Sequence, residues 1–362
     1  MVRTHGFHPC NRSSILLRAT TFKSINNDVI YIIQPAGTFR SIHTNHFASV
    51  AEGLLTPDQI SFITDEQLCE KHISEYSDGD SFLIRLGAHN IEPCLKILKL
   101  LGNKGFKVFP NYQSIKNCRD KGTFYNLCKL NKLPIPNSVI FTKECDYKNW
   151  NYQEFGEYCI IKPTIGTMGS GIHIVHNSKV AEKLEYLFKY DTEYYSDCDA
   201  IVQTYIENKL GKPQSLRVYV FNGKFTASIS ITNDSELYNR SSKSNTRMIG
   251  AEKKLFDNNN VLDQYHSETD LQVSNLNKGG VTAPYFPDKE LIEIAEKICK
   301  VTGIEFTALD FVQDKEGKYY CLESNIAPHL YRAFVLHHGR VNHPEMIFNY
   351  LLDIQHKGSI ML

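Results

Sequence analysis

At 362 residues the chain exceeds what one hydrophobic core usually fills, about 250–300 residues, so it has room for two or three packed units. Apolar residues at 42% and charged residues at 22% give an ordinary globular balance and exclude a largely disordered chain. Lys+Arg and Asp+Glu number 40 each, which excludes a whole-protein electrostatic grip on nucleic acid or an acidic membrane but allows a local phosphate site.

Residues 1–27 carry Arg3, Arg12, Arg18 and Lys23 and no acid. A loose N-terminal extension is the simpler account; a cleaved organellar transit peptide has the same composition. His5, His8 and Cys10 are metal-ligand types, but three of them in an unanchored tail fall together by chance. Ten cysteines occur singly, without a CxxC pair, and fit reduced thiols in a reducing compartment. The longest apolar runs, 29–33 and 158–161, fall short of the roughly 20 residues of a membrane helix. A cytoplasmic location is therefore expected, with no membrane and no nucleic acid as partner. Oligomeric state stays open.

Residues 28–116 read as a small α/β unit with a mostly parallel sheet. Strands are expected at 29–33, 81–85 and 106–109. A helix over 91–101, with Ile91, Leu95, Leu98 and Leu101 at near-helical spacing, is stopped by Gly102. A second unit, 117–203, begins near Asn117 with a helix carrying Lys121, Tyr125, Leu127, Leu130 and Leu133, ended by Pro134 and Pro136. Strands at 139–142, 158–162 and 172–175 and a helix over 180–190 follow. The third unit, 204–362, follows a shift toward antiparallel sheet at Ala200, with strands at 201–206, 215–221 and 224–232. Asn222-Gly223 is a strong hairpin signal between the last two. The stretch 233–275 is rich in Asn, Ser and Lys and lacks periodicity, as a lid or disordered insertion does. Asp288 caps a helix over 288–301 that Gly303 closes. A hairpin of 306–312 with 318–325 and a helix over 344–355 end the chain.

That last hairpin holds the most informative residues. A four-residue loop, 314–317, sets Gln313 opposite Lys318 and Asp310 opposite Cys321. Alternation then puts Asp310, Glu323 and Asn325 on one sheet face. Two carboxylates and an amide oxygen suit magnesium or manganese, hard cations that keep phosphate oxygens as further ligands. Taken alone, a solvated acidic pair is the commoner reading of such a hairpin. Lys162 ends a strand and precedes Gly166, Gly169 and Gly171, so a fixed positive charge adjoins backbone that can approach phosphate closely. The run is neither a P-loop nor a dinucleotide fingerprint, and a plain turn is its rival. Lys121 lies at a helix start, where a lysine opposes the dipole unless an anion neutralises it.

In this order and spacing the motifs resemble the ATP-grasp superfamily, in particular its branch of ribosomal-protein glutamate ligase and related peptide ligases. They run as Leu83-Ile-Arg-Leu-Gly87, Arg119-Asp-Lys121, Ile161-Lys-Pro163 with Gly166-Thr-Met-Gly-Ser-Gly171, and Val202-Gln-Thr-Tyr-Ile-Glu207. Leu216-Arg-Val-Tyr-Val220, Ser274-Asn-Leu-Asn-Lys-Gly-Gly280, Asp310 and Glu323-Ser-Asn325 follow. The resemblance implies an α+β chain in which two α+β subdomains clasp ATP behind a small α/β pre-ATP-grasp domain. It implies an ATP-dependent carboxylate–amine ligase working through an acyl phosphate. A precursor-peptide macrocyclase and a non-catalytic nucleotide-binding regulator are the alternatives.

Site roles follow from the same likeness. Lys121 and Lys162 hold nucleotide phosphates beneath a loop of Gly166, Thr167, Met168, Gly169, Ser170 and Gly171. Gln203, Thr204, Tyr205, Ile206 and Glu207 form the hinge beside adenine, with Glu207 toward the ribose. Asp310, Glu323 and Asn325 take magnesium, and Asn275, Lys278 and Arg217 line the phosphoryl-transfer site. Two positions depart from the pattern. Ser215 stands where an acid usually precedes Arg217 by two, and Val273 stands where many members have an arginine. Arg240 and Arg247 in the insertion are the candidates to replace it.

Overall fold

A computed structural model describes residues 28–35, 42–70, 72–86, 91–166, 169–208, 214–232 and 281–359. The extension 1–27, the insertion 233–275, Thr167, Met168, Val273, Asn275 and Lys278 lie outside the described residues. Among the described residues no helix is long and apolar enough to cross a membrane.

The first sheet is parallel throughout, in the order β2-β1-β3-β4: β1 (Ile30–Gln34), β2 (Ile60–Thr64), β3 (Ser81–Ile84) and β4 (Lys107–Phe109). Helices α1 (Ile42–Leu54), α2 (Asp65–Glu70) and α3 (Leu95–Asn103) connect them. Parallel strands need such crossovers. The helix α4 (Tyr112–Arg119) is capped by Asn111, whose side chain accepts from the Ser114 N–H at 2.9 Å. Asn117, expected to open the second unit, lies inside this helix.

The second sheet, β5-β8-β6-β7, is antiparallel from its first strand, so the switch of strand direction comes at Ser138 rather than at Ala200. It comprises β5 (Ser138–Phe141), β6 (Tyr158–Pro163), β7 (His173–His176) and β8 (Ala200–Thr204). Helix α5 (Lys121–Leu130) precedes it; α6 (Val180–Tyr190) and the short α7 (Thr192–Tyr195) sit between β7 and β8. This sheet and α6 bury a core of their own around Phe141, Phe155, Ile161, Leu184 and Tyr195.

The third sheet has the order β11-β10-β9-β12-β13 and is also antiparallel. Its strands are β9 (Gln214–Phe221), β10 (Lys224–Thr232), β11 (Val281–Pro284), β12 (Phe306–Gln313) and β13 (Tyr319–Asn325). Asn222 and Gly223 between β9 and β10 have φ of 48° and 72°, the doubly left-handed pair that a two-residue turn matched to strand twist requires. Helix α8 (Lys289–Thr302) starts at Asp288, which accepts from the Leu291 N–H at 2.9 Å, and ends at Gly303. Its apolar face, Leu291, Ala295 and Ile298, packs on Leu216, Val218, Leu309 and Phe311 of the sheet, in one cluster with Phe124 and Cys128 of α5. The opposite face meets α1, α9 (Tyr331–Leu336) and α10 (His343–Ser359) through Tyr219, Phe306, Ala308 and Phe348.

Helix α5 thus shares a core with the third sheet and meets the second through its polar N-terminus, the Tyr125 hydroxyl and Gly122, where an added Cβ would lie 2.9 Å from the Ile140 Cδ1. Two separately cored sheets therefore face each other across a polar seam, and a seam of that kind can admit a ligand.

Candidate active site

The β12–β13 hairpin sets the first half of the site, with a register that differs from the one read from sequence. Asp314 bonds Lys318, so the loop has three residues, 315–317, and Gln313 faces Tyr319. Continued unbroken, that register would put Asp310 opposite Leu322 and send Glu323 to the far face. A bulge intervenes. Phe311 pairs with Cys321 but Asp310 pairs with Glu323, leaving Leu322 as the extra residue. Asp310 therefore faces Glu323, not Cys321, and the two carboxylates share a face after all. Asn325, opposite Ala308, is one step farther along that face.

Arg217 completes the row, since on β9 it pairs with Asp310 from the other side. Its Nε and Nη2 donate to the two Asp310 oxygens, each at 2.7 Å. Burial raises the Asp310 carboxyl above the ordinary aspartate range, against the pull of Arg217. Burial pushes Glu323 the same way, but Lys121, Lys162 and Arg217 outweigh it and hold Glu323 below the ordinary glutamate range. Breaking a buried pair strands the remaining charge, so Arg217→Leu is expected to destabilise the fold by about 3–5 kcal/mol. Urea unfolding of the full chain measures this; a change near zero would show the pair to be solvated.

The lysines come from the other side of the seam. Lys162 in β6 is buried, and its Nζ donates to the Tyr125 hydroxyl and to the Leu322 carbonyl, both at 3.1 Å. The bulge that aligns the carboxylates thus also presents the carbonyl that steadies Lys162. Burial lowers the Lys162 ammonium to about 8, with Glu323 opposing and Lys121 assisting. Lys121, the first residue of α5, donates to the Gly166 carbonyl at 2.6 Å, and its Nζ is 3.8 Å from Glu323. Asp120 caps this helix on the Thr123 N–H at 2.6 Å.

Tyr125 is the hub that sequence reasoning placed only on an apolar helix face. Its hydroxyl donates to the Leu322 carbonyl at 2.9 Å and accepts from Lys162 and from Gln203. The available signal was its position four residues after Lys121, which puts both on one side of α5. Gln203 is fully buried and also donates to the Ser138 hydroxyl at 3.0 Å. Its side chain is held inside the network and does not line open surface. Removing one hydroxyl with Tyr125→Phe leaves Lys162 with a single acceptor and deeper desolvation, so its ammonium is expected to titrate below 8. NMR of the Lys162 side chain reports that shift, and an unchanged midpoint would remove Tyr125 from the lysine's support.

The remaining expected residues divide. Gly166, Gly169, Ser170 and Gly171 connect β6 to β7. Gly171 has φ 68°, and a Cβ there would sit 3.0 Å from that of Tyr194, so glycine is required. The Thr204 N–H bonds the Asn137 carbonyl at 2.9 Å and the Tyr205 N–H that of Tyr158 at 3.2 Å. Neither donor is open toward adenine; the Ile206 N–H, which meets no backbone carbonyl among the described residues, is the one left. Glu207 forms an exposed ion pair with Lys315 of the hairpin loop, which ties the strand leaving the second sheet to the third.

Counting charges at the seam, Lys121, Lys162 and Arg217 give three positive and Asp310 and Glu323 two negative, a net of +1. Among the described residues no cluster of three His, Cys, Asp or Glu side chains occurs, so no site holds a metal on such ligands alone. Two carboxylates and an amide fit a cation whose other ligands come from phosphate.

Such an arrangement, two cored sheets closing on paired lysines and a carboxylate row, is the ATP-grasp fold, and this chain has it. No family model matches the sequence. Solved structures similar to it over most of its length include a D-alanine–D-alanine ligase from Bacillus anthracis complexed with ATP (TM-score 0.60, 16% identity, 91% of this chain and 99% of that one). The ATP-grasp ligase PsnB complexed with minimal precursor superposes at 0.59 with 15% identity, over 91% and 99%. A RimK domain ATP-grasp protein from Sphaerobacter thermophilus does so at 0.58 with 14% identity, over 89% and 98%. In sequence, probable alpha-L-glutamate ligases of Shewanella pealeana and Shewanella halifaxensis are 32% identical over 119 residues, 33% of this chain and 24% of each relative.

Proposed function

We propose that this chain is an ATP-dependent ligase that phosphorylates a carboxylate and transfers the acyl group to an amine, releasing ADP and phosphate. The observation that carries it is the placement of Lys121 3.8 Å from Glu323, with Lys162 bonded to the neighbouring Leu322 carbonyl, across a seam between separately cored sheets. On this reading residues 28–116 precede two clasping units, 117–203 and 204–362.

Lys162 and Lys121 fix positive charge where the triphosphate lies, and little covalent work falls to any side chain. Asp310, Glu323 and Asn325 would hold magnesium, which would supply neutralising positive charge to the triphosphate when bound. Arg217 keeps Asp310 oriented. The Gly166–Gly171 loop, tied to Lys121, covers the phosphates and keeps water from the acyl phosphate. Asn275 and Lys278 are assigned to the transfer site by their motif. The relatives named as glutamate ligases and the ligases among the similar structures support the reaction class.

Incubating the full chain with ATP, magnesium and a pool of amino acids and peptides, then recording product masses, tests the proposal. Amine-dependent phosphate release with a product of summed mass less water is expected. Tight ATP binding with no release under any pool would turn the reading to a nucleotide-binding regulator.

The lysine titration adds a pH signature. A bound triphosphate favours the ammonium form, so nucleotide affinity is expected to fall as pH rises through about 8. Nucleotide titrations at successive pH values record this decline; Lys162→Arg, which stays charged, should flatten it.

A further inference from the structure

Among the described residues, Cys69 and Cys94 are the one pair of thiols in contact, their sulfurs 3.7 Å apart. Cys69 lies in the last turn of α2, and Cys94 ends the turn that leads into α3. Each thiol also reaches the backbone that carries its partner. The Cys69 Sγ donates to the carbonyl of Pro93, the residue before Cys94, at 3.6 Å. The Cys94 Sγ donates to the Asp65 carbonyl at 3.7 Å, and Asp65 stands one turn before Cys69 on the same side of α2.

Packing makes the two sulfurs unequal. Cys94 is fully buried in the core that also holds Leu68, Ile91 and Leu98, whereas Cys69 is exposed. Burial pushes the Cys94 thiol above its ordinary range, with Cys69 adding to the shift. A thiol so placed is inert toward a dissolved oxidant, yet it adjoins a sulfur that such an oxidant can reach. Cys145, also exposed, touches the Thr142 hydroxyl and no second thiol among the described residues. A disulfide is about 2.05 Å long, so the two sulfurs must close by about 1.7 Å. Helix α2 has six residues and Leu68 as its one buried side chain, so its exposed last turn can supply that movement while Cys94 stays in the core.

We infer that Cys69 and Cys94 are a modification site for peroxides, at which Cys69 is oxidised first and Cys94 resolves it into a reversible disulfide. The Cys69 thiol takes one oxygen from hydrogen peroxide, becomes a sulfenic acid and releases water. The Cys94 sulfur then attacks the Cys69 sulfur. The S–O bond breaks, and the hydroxyl leaves with the Cys94 proton as a second water. Two thiol hydrogens and two electrons thus pass to one peroxide. The new bond spans 25 positions, encloses β3, and keeps Cys69 from the irreversible sulfinic step. The site lies outside the nucleotide seam and stands apart from the ligase reading.

Peptide mapping of the full chain tests this, after treatment with hydrogen peroxide and alkylation without reduction. A Cys69–Cys94 linked peptide, two hydrogens lighter than its parts and separated by dithiothreitol, is the expected product. Dimedone, which captures sulfenic acids, should label Cys69 roughly tenfold or more in Cys94→Ala over the unaltered chain, because a neighbouring thiol outcompetes a dissolved trap. Excess peroxide should carry Cys69 to the sulfinic acid in that variant alone. Equal dimedone labelling of the two proteins, linkage of Cys69 to any other cysteine or to a second chain, or a Cys69 that stays unoxidised overturns the inference. Should Cys94→Ala fail to fold by thermal melting, the linked peptide of the unaltered chain decides alone.

Discussion

Lys162→Met is expected to lower ATP-dependent phosphate release by a factor of about 10²–10³, the usual result of losing one preorganised charge at a phosphoryl-transfer site. The same change should leave the melting temperature unchanged or raise it. Lys162 is buried against a tyrosine hydroxyl and a carbonyl, with no carboxylate of the described residues within ion-pair distance, so the ammonium is held at a desolvation cost that lowers it to about 8. Methionine has nearly the same shape and no charge, and removes that cost. Its loss leaves the Tyr125 hydroxyl still bonded to Leu322 and Gln203. A purely structural lysine behaves oppositely, with stability falling and turnover following it. Phosphate release and AMPPNP affinity, measured beside a thermal melt, distinguish the two. Retained turnover in a folded variant would remove Lys162 from the nucleotide site.

How far the sequence reading reached depended on whether the signal was local. Helix α8 was readable to within a residue because the spacing of Leu291, Ala295 and Ile298 lies within it and its caps, Asp288 and Gly303, adjoin it. The β9–β10 hairpin was readable because Asn222-Gly223 specifies its own turn. Short elements with weak periodicity escaped. These include β2, whose side chains are mostly half-buried, and the eight-residue α4, whose cap Asn111 follows a proline-containing turn. The antiparallel pairing of β6 with β7 was missed because direction is decided by partners and not by composition.

The candidate site shows the same division. Lys162 and the acidic pair were identifiable by residue type and spacing. Their juxtaposition depends on Leu322, an apolar residue whose side chain does nothing polar and whose bulge no pattern announced. The expected shared face emerged from a longer loop and no bulge; the actual one comes from a shorter loop and one bulge. Each counts an extra residue, so the parity agrees. Ser138 gave no signal, and Tyr125 only its spacing from Lys121, because their roles depend on contact between units separated in sequence.

Glu323→Gln is expected to reduce magnesium-dependent phosphate release by about a thousandfold, with the metal concentration for half-maximal turnover rising about 10–100-fold. Glutamine preserves the shape and one oxygen, so the change isolates charge. Lys121, at 3.8 Å, together with Lys162 and Arg217, holds Glu323 below the ordinary glutamate range, so at neutral pH the wild-type group is a full carboxylate ready for a cation. Neutralising it moves the local sum from three positive and two negative to three positive and one negative, +1 to +2. Metal-free ATP should consequently bind somewhat more tightly to the variant, while magnesium should cease to improve that binding. Opposite signs for the two measurements belong to a metal ligand. A carboxylate that merely neutralised the lysines would strengthen ATP binding with and without magnesium alike and leave the half-maximal metal concentration where it was. ATP titrations in EDTA and in magnesium, run on one preparation, therefore decide whether the Asp310–Glu323 row receives the cation.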